Sequence, residues 1–448
     1  MTEYPRALPA FLLLFAAFPA FSQAPSDTSS IEALEQDLAR QKEALAELEA
    51  ELDRLKAAES AGAADNADSA PAPVPTSVEI AGYANVDLIY DFDRVAPEYD
   101  ATLVPTTIPT VPGQYGSDGN FIGSVKQTKL SITSRGHTPL GAVSAWFEFD
   151  LFGTGSNAGQ TTFNLRHAWI ELGNWGAGQT WSSFMDITTW PNVYDWWGPS
   201  AMALNRNVQL RYTFPQKIGG GQLALAIEKQ NGSFNVDPLN ELAPALAESV
   251  STKSELPDLI ARWRLEQDWG HFQAAGVLRK LSYETLLTPN NNPSGDETGW
   301  GLNLTGIINT VGRDQLKLGL VFGDGIATFI NDGGGSNLAL DSDGAGVDVV
   351  TTRSVGILVY YDHYWSDQWS SSIGFSQNDN DLTSVQVDEE PDKVSYASTN
   401  LFYTASPAFA LGVEALYGKL DVGSGASGSD FRIQFTARYN FAHEIFTR

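Results

Sequence analysis

The chain has 448 residues, of which 18% are charged, and its formal net charge is −27. This excess of acid argues against a nucleic-acid-binding protein, and beyond the N-terminus no run of 18 apolar residues offers a membrane-spanning helix. The sequence has no cysteine, which fits passage through an oxidising compartment where stray thiols would react.

Residues 1–22 predict a secretory signal peptide. An apolar stretch at 8–21 follows a basic flank, and Ala20–Ser22 places small residues at the positions that precede a cleavage site. The alternative is a lone membrane anchor, but the stretch is short for a span and contains Pro9 and Pro19.

Residues 23–59 predict a helical segment in the periplasm, and residues 60–77, rich in Ala, Asp, Ser and Pro, predict an extended linker. Steps of three and four residues place one set of side chains on a single heptad seam. The seam consists of Ile31, Leu34, Leu38, Gln41, Leu45, Leu48, Leu52 and Leu55. So narrow a stripe favours a parallel coiled coil, while the alternative is one amphipathic helix lying on its own barrel.

Residues 78–448 predict an all-β fold. Seven short turns alternate with eight long polar loops and separate sixteen segments, most of which alternate apolar with polar residues. This pattern is typical of a sixteen-stranded antiparallel transmembrane β-barrel in a bacterial outer membrane, with both chain ends on the periplasmic side. A barrel of that size is wide enough to hold water.

The alternation also predicts which side chains face the lumen. In the last segment Phe431, Ile433 and Phe435 share one face, and Arg432 and Arg438 share the other. A slip of one residue would place the arginines in lipid, at about 2–4 kcal/mol each near the midplane, so the register is well determined.

The same phasing yields a mixed, slightly basic lumen. The inward basic residues are Lys129, Arg135, Arg166, Arg211, Arg262, Arg264, Arg279, Lys317, Arg432 and Arg438, and the inward acids are Glu79, Asp87, Glu148, Asp150, Glu228, Glu266 and Glu414. One interpretation is a track for small organic anions, because a guanidinium offers a rigid fork to a carboxylate. The other is that the arginines pair with the acids and only brace the wall.

The loop at 181–205 predicts a constriction. It carries Trp181, Asp186, Trp190, Asp195, Trp196 and Trp197. Tryptophans are costly to leave in water, so the loop is expected to fold into the lumen at mid-height, with its aspartates across a gap from the arginines. Packing against a neighbouring subunit is the alternative.

The sequence offers no sign of catalysis and implies no cofactor. It has neither a G-x-S-x-G nor an H-E-x-x-H motif, and four of the five histidines fall in or near predicted periplasmic turns or tails, away from the pore. The acidic, glycine-rich segment Asp332–Asp348 lacks EF-hand spacing, so a solvated loop is favoured over a calcium site.

Several stretches resemble the DcaP-like family of outer-membrane porins. They are Asn164–Leu172, Gly178–Phe184, Gly198-Pro199, the Arg206 to Thr213 segment and Gly323–Ile326. The resemblance implies a trimer of sixteen-stranded barrels, a periplasmic coiled coil, passage of dicarboxylate-type anions, and Arg166, Arg206 and Arg211 near the constriction. Two features depart from the family pattern: the chain runs past Phe441, and Ala327–Phe329 lacks a basic residue.

These observations predict a porin for passive diffusion of small anionic solutes such as dicarboxylates. The expected partners are the bilayer and its lipopolysaccharide, two further copies of the chain, the solutes themselves and peptidoglycan. The alternative function is a structural or surface-interaction barrel whose pore is occluded.

Overall fold

The computed structural model describes residues 77–342, 347–386 and 389–446, together with the helical residues Lys42, Ala46 and Ala50 in a separate N-terminal unit. The predicted signal peptide, all eight residues of the heptad seam and residues 60–76 of the predicted linker lie outside the described residues. Ser77, the last residue of that linker, begins the first strand. No helix in the described part of the chain is long and apolar enough to span a membrane.

The described chain is built mainly from β-strands. In chain order they are β1 (Ser77–Asp91), β2 (Asn120–Ser124), β3 (Lys129–Thr138), β4 (Gly141–Phe152), β5 (Thr161–Leu172), β6 (Trp175–Trp181), β7 (Arg206–Ile218), β8 (Gly221–Glu228), β9 (Val250–Lys253), β10 (Asp258–Gln267), β11 (Gly270–Thr285), β12 (Gly295–Asn309), β13 (Gln315–Asp324), β14 (Leu338–Ser342), β15 (Val347–Thr351), β16 (Arg353–Tyr364), β17 (Trp369–Asn380), β18 (Pro391–Ser406), β19 (Phe409–Val422) and β20 (Ser427–Phe446). Two short helices are α1 (Asp237–Leu242) and α2 (Pro244–Ala247), and single 3-10 turns occupy Pro97–Tyr99, Pro105–Thr107, Gly155–Asn157, Ile187–Thr189, Pro289–Asn291 and Ala327–Phe329.

All strands except β2, β9, β14 and β15 form the wall of a closed sixteen-stranded antiparallel barrel, which confirms the predicted barrel. Each wall strand pairs with the next, and β20 closes the barrel by pairing with β1 from Val78 to Asp91. Short turns meet at one rim, here called the short-turn rim, and long loops meet at the other, the long-loop rim. β2 and β9 extend the wall at the long-loop rim.

Side-chain burial follows the predicted alternation. Along β20, Phe431, Ile433 and Phe435 are 38–41% exposed on the outer face, whereas Arg432 and Gln434 are fully buried on the inner face. The outer wall is therefore apolar and the inner wall polar, as an outer-membrane barrel requires.

β20 continues past Phe441 and ends at Phe446. The additional residues pair with β1, for example His443 with Ile80, and β3 borders the other side of β1 as far as Ser77. The extension past Phe441 is thus part of the barrel wall, and β20, β1 and β3 project together at the short-turn rim.

The lumen is largely filled by three loops from the long-loop rim: L1 (residues 92–119), L3 (182–205) and L6 (325–337). Two apolar clusters attach them to the inner wall. The first joins Val95, Leu103, Ile108 and Met202 to Leu358, Tyr360, Val394, Tyr396, Leu416, Leu420 and Val422, and the second joins Phe184, Met185, Ala203, Ile326, Phe329 and Ile330 to Ala226, Ile260, Ala275, Val277 and Val321. The passage through the barrel is therefore much narrower than the wall alone would leave.

Candidate functional site

L3 runs along the inside of the barrel, because polar side chains of the inner wall donate hydrogen bonds to its backbone carbonyls. The donor side chains lie on β11, β12, β13 and β18. The bonds run from Gln273 to Met185, from Asn303 to Phe184, from Lys317 to Trp190 and from Asn400 to Asn192. L3 is therefore attached across much of the barrel circumference rather than hanging free in the lumen.

Asp186 anchors the part of L3 that lies nearest the short-turn rim. Its carboxylate lies 2.9 Å from the Arg264 guanidinium and 2.7 Å from His271 Nε2, and it accepts a 2.6 Å bond from the Thr188 hydroxyl. Although burial raises the pKa of Asp186, these hydrogen bonds and the Arg264 charge hold it well below its ordinary value. His271 is the second residue of β11, so L3 reaches below mid-height, and Asp186 touches Arg264 directly instead of facing it across a gap.

Asp195 anchors the part of L3 that lies nearer the long-loop rim, in a different way. It is buried and accepts hydrogen bonds from the Thr102 hydroxyl at 2.6 Å, the Leu103 amide at 3.1 Å and the Tyr396 hydroxyl at 3.1 Å. Its hydrogen-bond donors are thus uncharged rather than cationic, and burial raises the pKa of Asp195 although the Arg432 charge opposes this. This carboxylate joins L1, L3 and β18 into one assembly.

A cavity of about 630 Å³ remains between L3 and the wall that contains β1 and β3–β6. Four basic side chains line it, together with an aromatic surround. The basic residues are Lys129, Arg166, Arg206 and Arg438, and the aromatic residues are Tyr83, Trp146, Trp181, Trp190, Tyr194, Trp196 and Trp197. A second pocket, between L3 and residues of β12, β13 and β16, measures only about 10 Å³.

A β-bulge in β5 gives the cavity two adjacent polar side chains. Glu148 pairs with His167 and Phe149 pairs with Leu165, so Arg166 has no partner opposite it and both Arg166 and His167 line the cavity. Strict alternation cannot place both residues on one side, and nothing in the sequence signalled the bulge.

Two of the four cavity cations are neutralised. Arg166 lies 2.9 Å from Glu148 and 2.8 Å from Asp150, and Lys129 lies 3.1 Å from Glu148. Trp196 Nε1 donates to the same Asp150 carboxylate at 2.9 Å. Arg166 thus contributes little free positive charge, although it shapes the cavity wall.

Arg206 and Arg438 lack such partners. In the described part of the chain neither has a carboxylate within 4.0 Å. Arg206 lies 5.2 Å from the Trp181 ring, and one of its terminal nitrogens is buried without a hydrogen-bond acceptor. Arg438 donates to Asn85 at 2.9 Å and lies 4.1 Å from the Tyr83 ring. The cation–π contact offsets part of the free-energy cost of desolvating each guanidinium, but it leaves the positive charge available to an anion.

Other arginines predicted to line the pore brace the wall instead. Arg279 bonds to Asp258 at 3.1 Å with both side chains fully buried, and Arg432 bonds to Asp91 at 2.8 Å and to Asp430 at 3.1 Å, also out of contact with solvent. Buried pairs of this kind are strongly destabilised when one partner is lost. Arg279 and Arg432 are therefore corrected from pore-lining to structural residues.

Arg211, Arg262 and Arg264 lie outside the cavity, on the inner wall towards the short-turn rim. Arg211 lies 4.7 Å from the Trp169 ring and 3.6 Å from Glu171, and Arg264 is shared between Asp186 and Glu266. The expectation that Arg211 belongs with Arg166 and Arg206 at one constriction is not met, because Arg166 and Arg206 line the cavity and Arg211 does not.

Comparison with known proteins confirms the resemblance inferred from the sequence. The family model of the DcaP outer membrane protein matches residues 35–255. The fold is similar to the crystal structure of the outer membrane channel DcaP of Acinetobacter baumannii, with a TM-score of 0.67 and 23% identity over 82% of this chain and 97% of that one. It is also similar to an anion-selective porin from Comamonas acidovorans, with a TM-score of 0.52 and 12% identity over 82% and 100% of the two chains. No curated protein matches the sequence.

Proposed function

Since a DcaP outer membrane protein family model matches residues 35–255 and the fold is that of an outer-membrane barrel, we propose that the chain is a channel rather than an enzyme, and that it conducts small anionic organic solutes, such as dicarboxylates, by passive diffusion. The solute passes through the cavity beside L3. Arg206 and Arg438 contact its carboxylates, and the aromatic surround limits its size. Lys129 and Arg166 act mainly by holding the cavity wall in shape.

The observation that carries this proposal is the pair of guanidiniums without carboxylate partners. Both side chains are half-buried, so each guanidinium has lost part of its hydration without gaining a counter-ion, at a cost in free energy. A carboxylate that enters beside Arg206 or Arg438 offsets that cost, whereas a cation would add to it. Because the nearby acids are already engaged by Arg166 and Lys129, they do not compete for these two arginines.

The extent of loop packing favours a second candidate, a structural barrel with an occluded pore. L1, L3 and L6 bury apolar side chains against the inner wall. Protein reconstituted in a planar bilayer separates the two functions. We expect stepwise currents, and in a potassium chloride gradient a reversal potential displaced towards that of chloride. A silent bilayer would favour the occluded barrel.

We propose that the chain assembles as a homotrimer in contact with bilayer lipid and lipopolysaccharide. Pairing between β5 and β6 ends at Ala168 and Gln179, although β5 continues to Thr161. On this stretch Phe163 is 64% exposed. Hydrocarbon does not tolerate an unpaired strand edge, so a neighbouring copy is the natural cover, with the heptad segment joining the copies beside the peptidoglycan.

Removing residues 23–76 is expected to leave trimers that melt at a lower temperature, because the wall edge supplies the main contact. Mild-detergent gels and thermal melting check this. Phe163→Gln, at the unpaired edge, should weaken the shortened trimer, whereas Leu259→Gln, on an outer-wall strand well away from that edge, should not. If the deletion alone yields only monomers, assembly depends on the heptad segment and the wall contact is wrong.

A further inference from the structure

A second group of arginines lies between L3 and the short-turn rim, on the inner faces of β7 and β10. Arg211 pairs across the wall with Ala226, and Arg262 pairs with Ala224. β8 therefore presents only methyl groups between the two arginine-bearing strands, and both alanines are buried. Arg264 follows Arg262 on the same inner face of β10.

The outer members of this group have acidic partners and the central one has none. Arg211 lies 3.6 Å from Glu171, and Arg264 lies 2.9 Å from Asp186 and 2.7 Å from Glu266. Arg262 has no carboxylate within 4.0 Å among the described residues.

The Arg262 Nε atom is also buried without a hydrogen-bond acceptor. A guanidinium in this position is desolvated, is flanked by two like charges and has no counter-ion. Its two terminal nitrogens form no hydrogen bond with the described residues and are not buried, so they are open to the lumen.

We propose that Arg262 is a second anion-binding station, which receives one carboxylate of the solute on the short-turn side of L3. The planar fork of its accessible nitrogens matches a carboxylate. This inference rests on the proposed anion channel and adds an order of events: the solute meets Arg206 and Arg438 in the cavity and then Arg262 below L3. Two weak sites in series permit both entry and release, as conduction requires.

The test is interruption of chloride current by succinate, added separately to each side of single channels inserted in one orientation. Loss of one charged hydrogen bond costs about 1.5–3 kcal/mol, so Arg262→Gln is expected to raise the apparent dissociation constant of succinate about tenfold or more from the short-turn side. The apparent dissociation constant measured with succinate on the long-loop side should rise much less. Arg135→Gln, which removes an exposed arginine at the short-turn rim, is the matched control and should behave like the wild type.

A second variant protects the test against misfolding of the first. Ala224→Asp places a carboxylate opposite Arg262 and should weaken succinate block from the same side while the arginine remains. If both variants block like Arg135→Gln while the wild type is anion-selective, the second station is wrong. A wild type without anion preference would instead refute the proposed function itself.

Discussion

Replacing both Arg206 and Arg438 by glutamate is expected to reverse the ion preference of the channel. These are the cavity cations that no carboxylate neutralises, so two charge reversals convert a net positive lining into a net negative one. The ratio of chloride to potassium permeability, measured from reversal potentials, should fall from above one to below one. The change should be largest at low ionic strength, because the Debye length shrinks to about 3 Å at 1 M salt.

A charge-matched control distinguishes local from global effects. Arg313 and Arg353 are more than half exposed, with side-chain exposures of 54% and 57%, so glutamate at both positions adds the same charge outside the cavity. That variant should keep the wild-type preference. If the Arg206 and Arg438 double variant also remains anion-selective at every salt concentration, the cavity arginines do not set selectivity.

Deleting residues 186–197 from L3 is expected to raise single-channel conductance severalfold and to abolish discrimination among anions by size. The deleted segment supplies Trp190, Tyr194 and Trp196 to the cavity lining, so its loss merges the cavity with the rest of the lumen. It also removes the Asp186 and Asp195 anchors, so the variant should melt at a lower temperature.

Deletion of residues 287–292 from a different loop is the control for shortening. That loop lies at the long-loop rim, where Leu287 is fully exposed, and its loss should change neither conductance nor selectivity. Unchanged conductance after the L3 deletion, together with weaker trimers, would identify L3 as a contact between subunits. The constriction would then lie in L1 or in the loop at 229–257.

The sequence alone was enough to determine the wall, because each strand has one face that lipid must accept. On β20 the arginines exclude the other register, and the structure has the predicted one. Side-chain contacts between neighbouring strands were harder to predict from the sequence. Arg279 contacts Asp258 because Leu278 is opposite Leu259, and such cross-strand neighbours depend on a register that no single segment encodes.

The interior of the barrel was the hardest part to predict. L1 has the composition of a polar loop, yet Leu103 and Ile108 are buried against β19. Its apolar residues follow no helix or strand period, so nothing marks them as core. The β5 bulge likewise departs from the alternation that made the rest of β5 predictable, and it places His167 in the lumen.

The packing of L1, L3 and L6 inside the barrel has a consequence for temperature. Detaching these loops exposes apolar surface to lumen water, whereas the outer wall stays in hydrocarbon. The loops alone therefore carry a large positive heat capacity of detachment. Their attachment strengthens to an optimum at intermediate temperature and weakens on cooling as well as on heating. Single-channel current should therefore be larger, at both low and high temperature, than the viscosity of water predicts. The barrel is expected to become leakier on cooling as well as on heating.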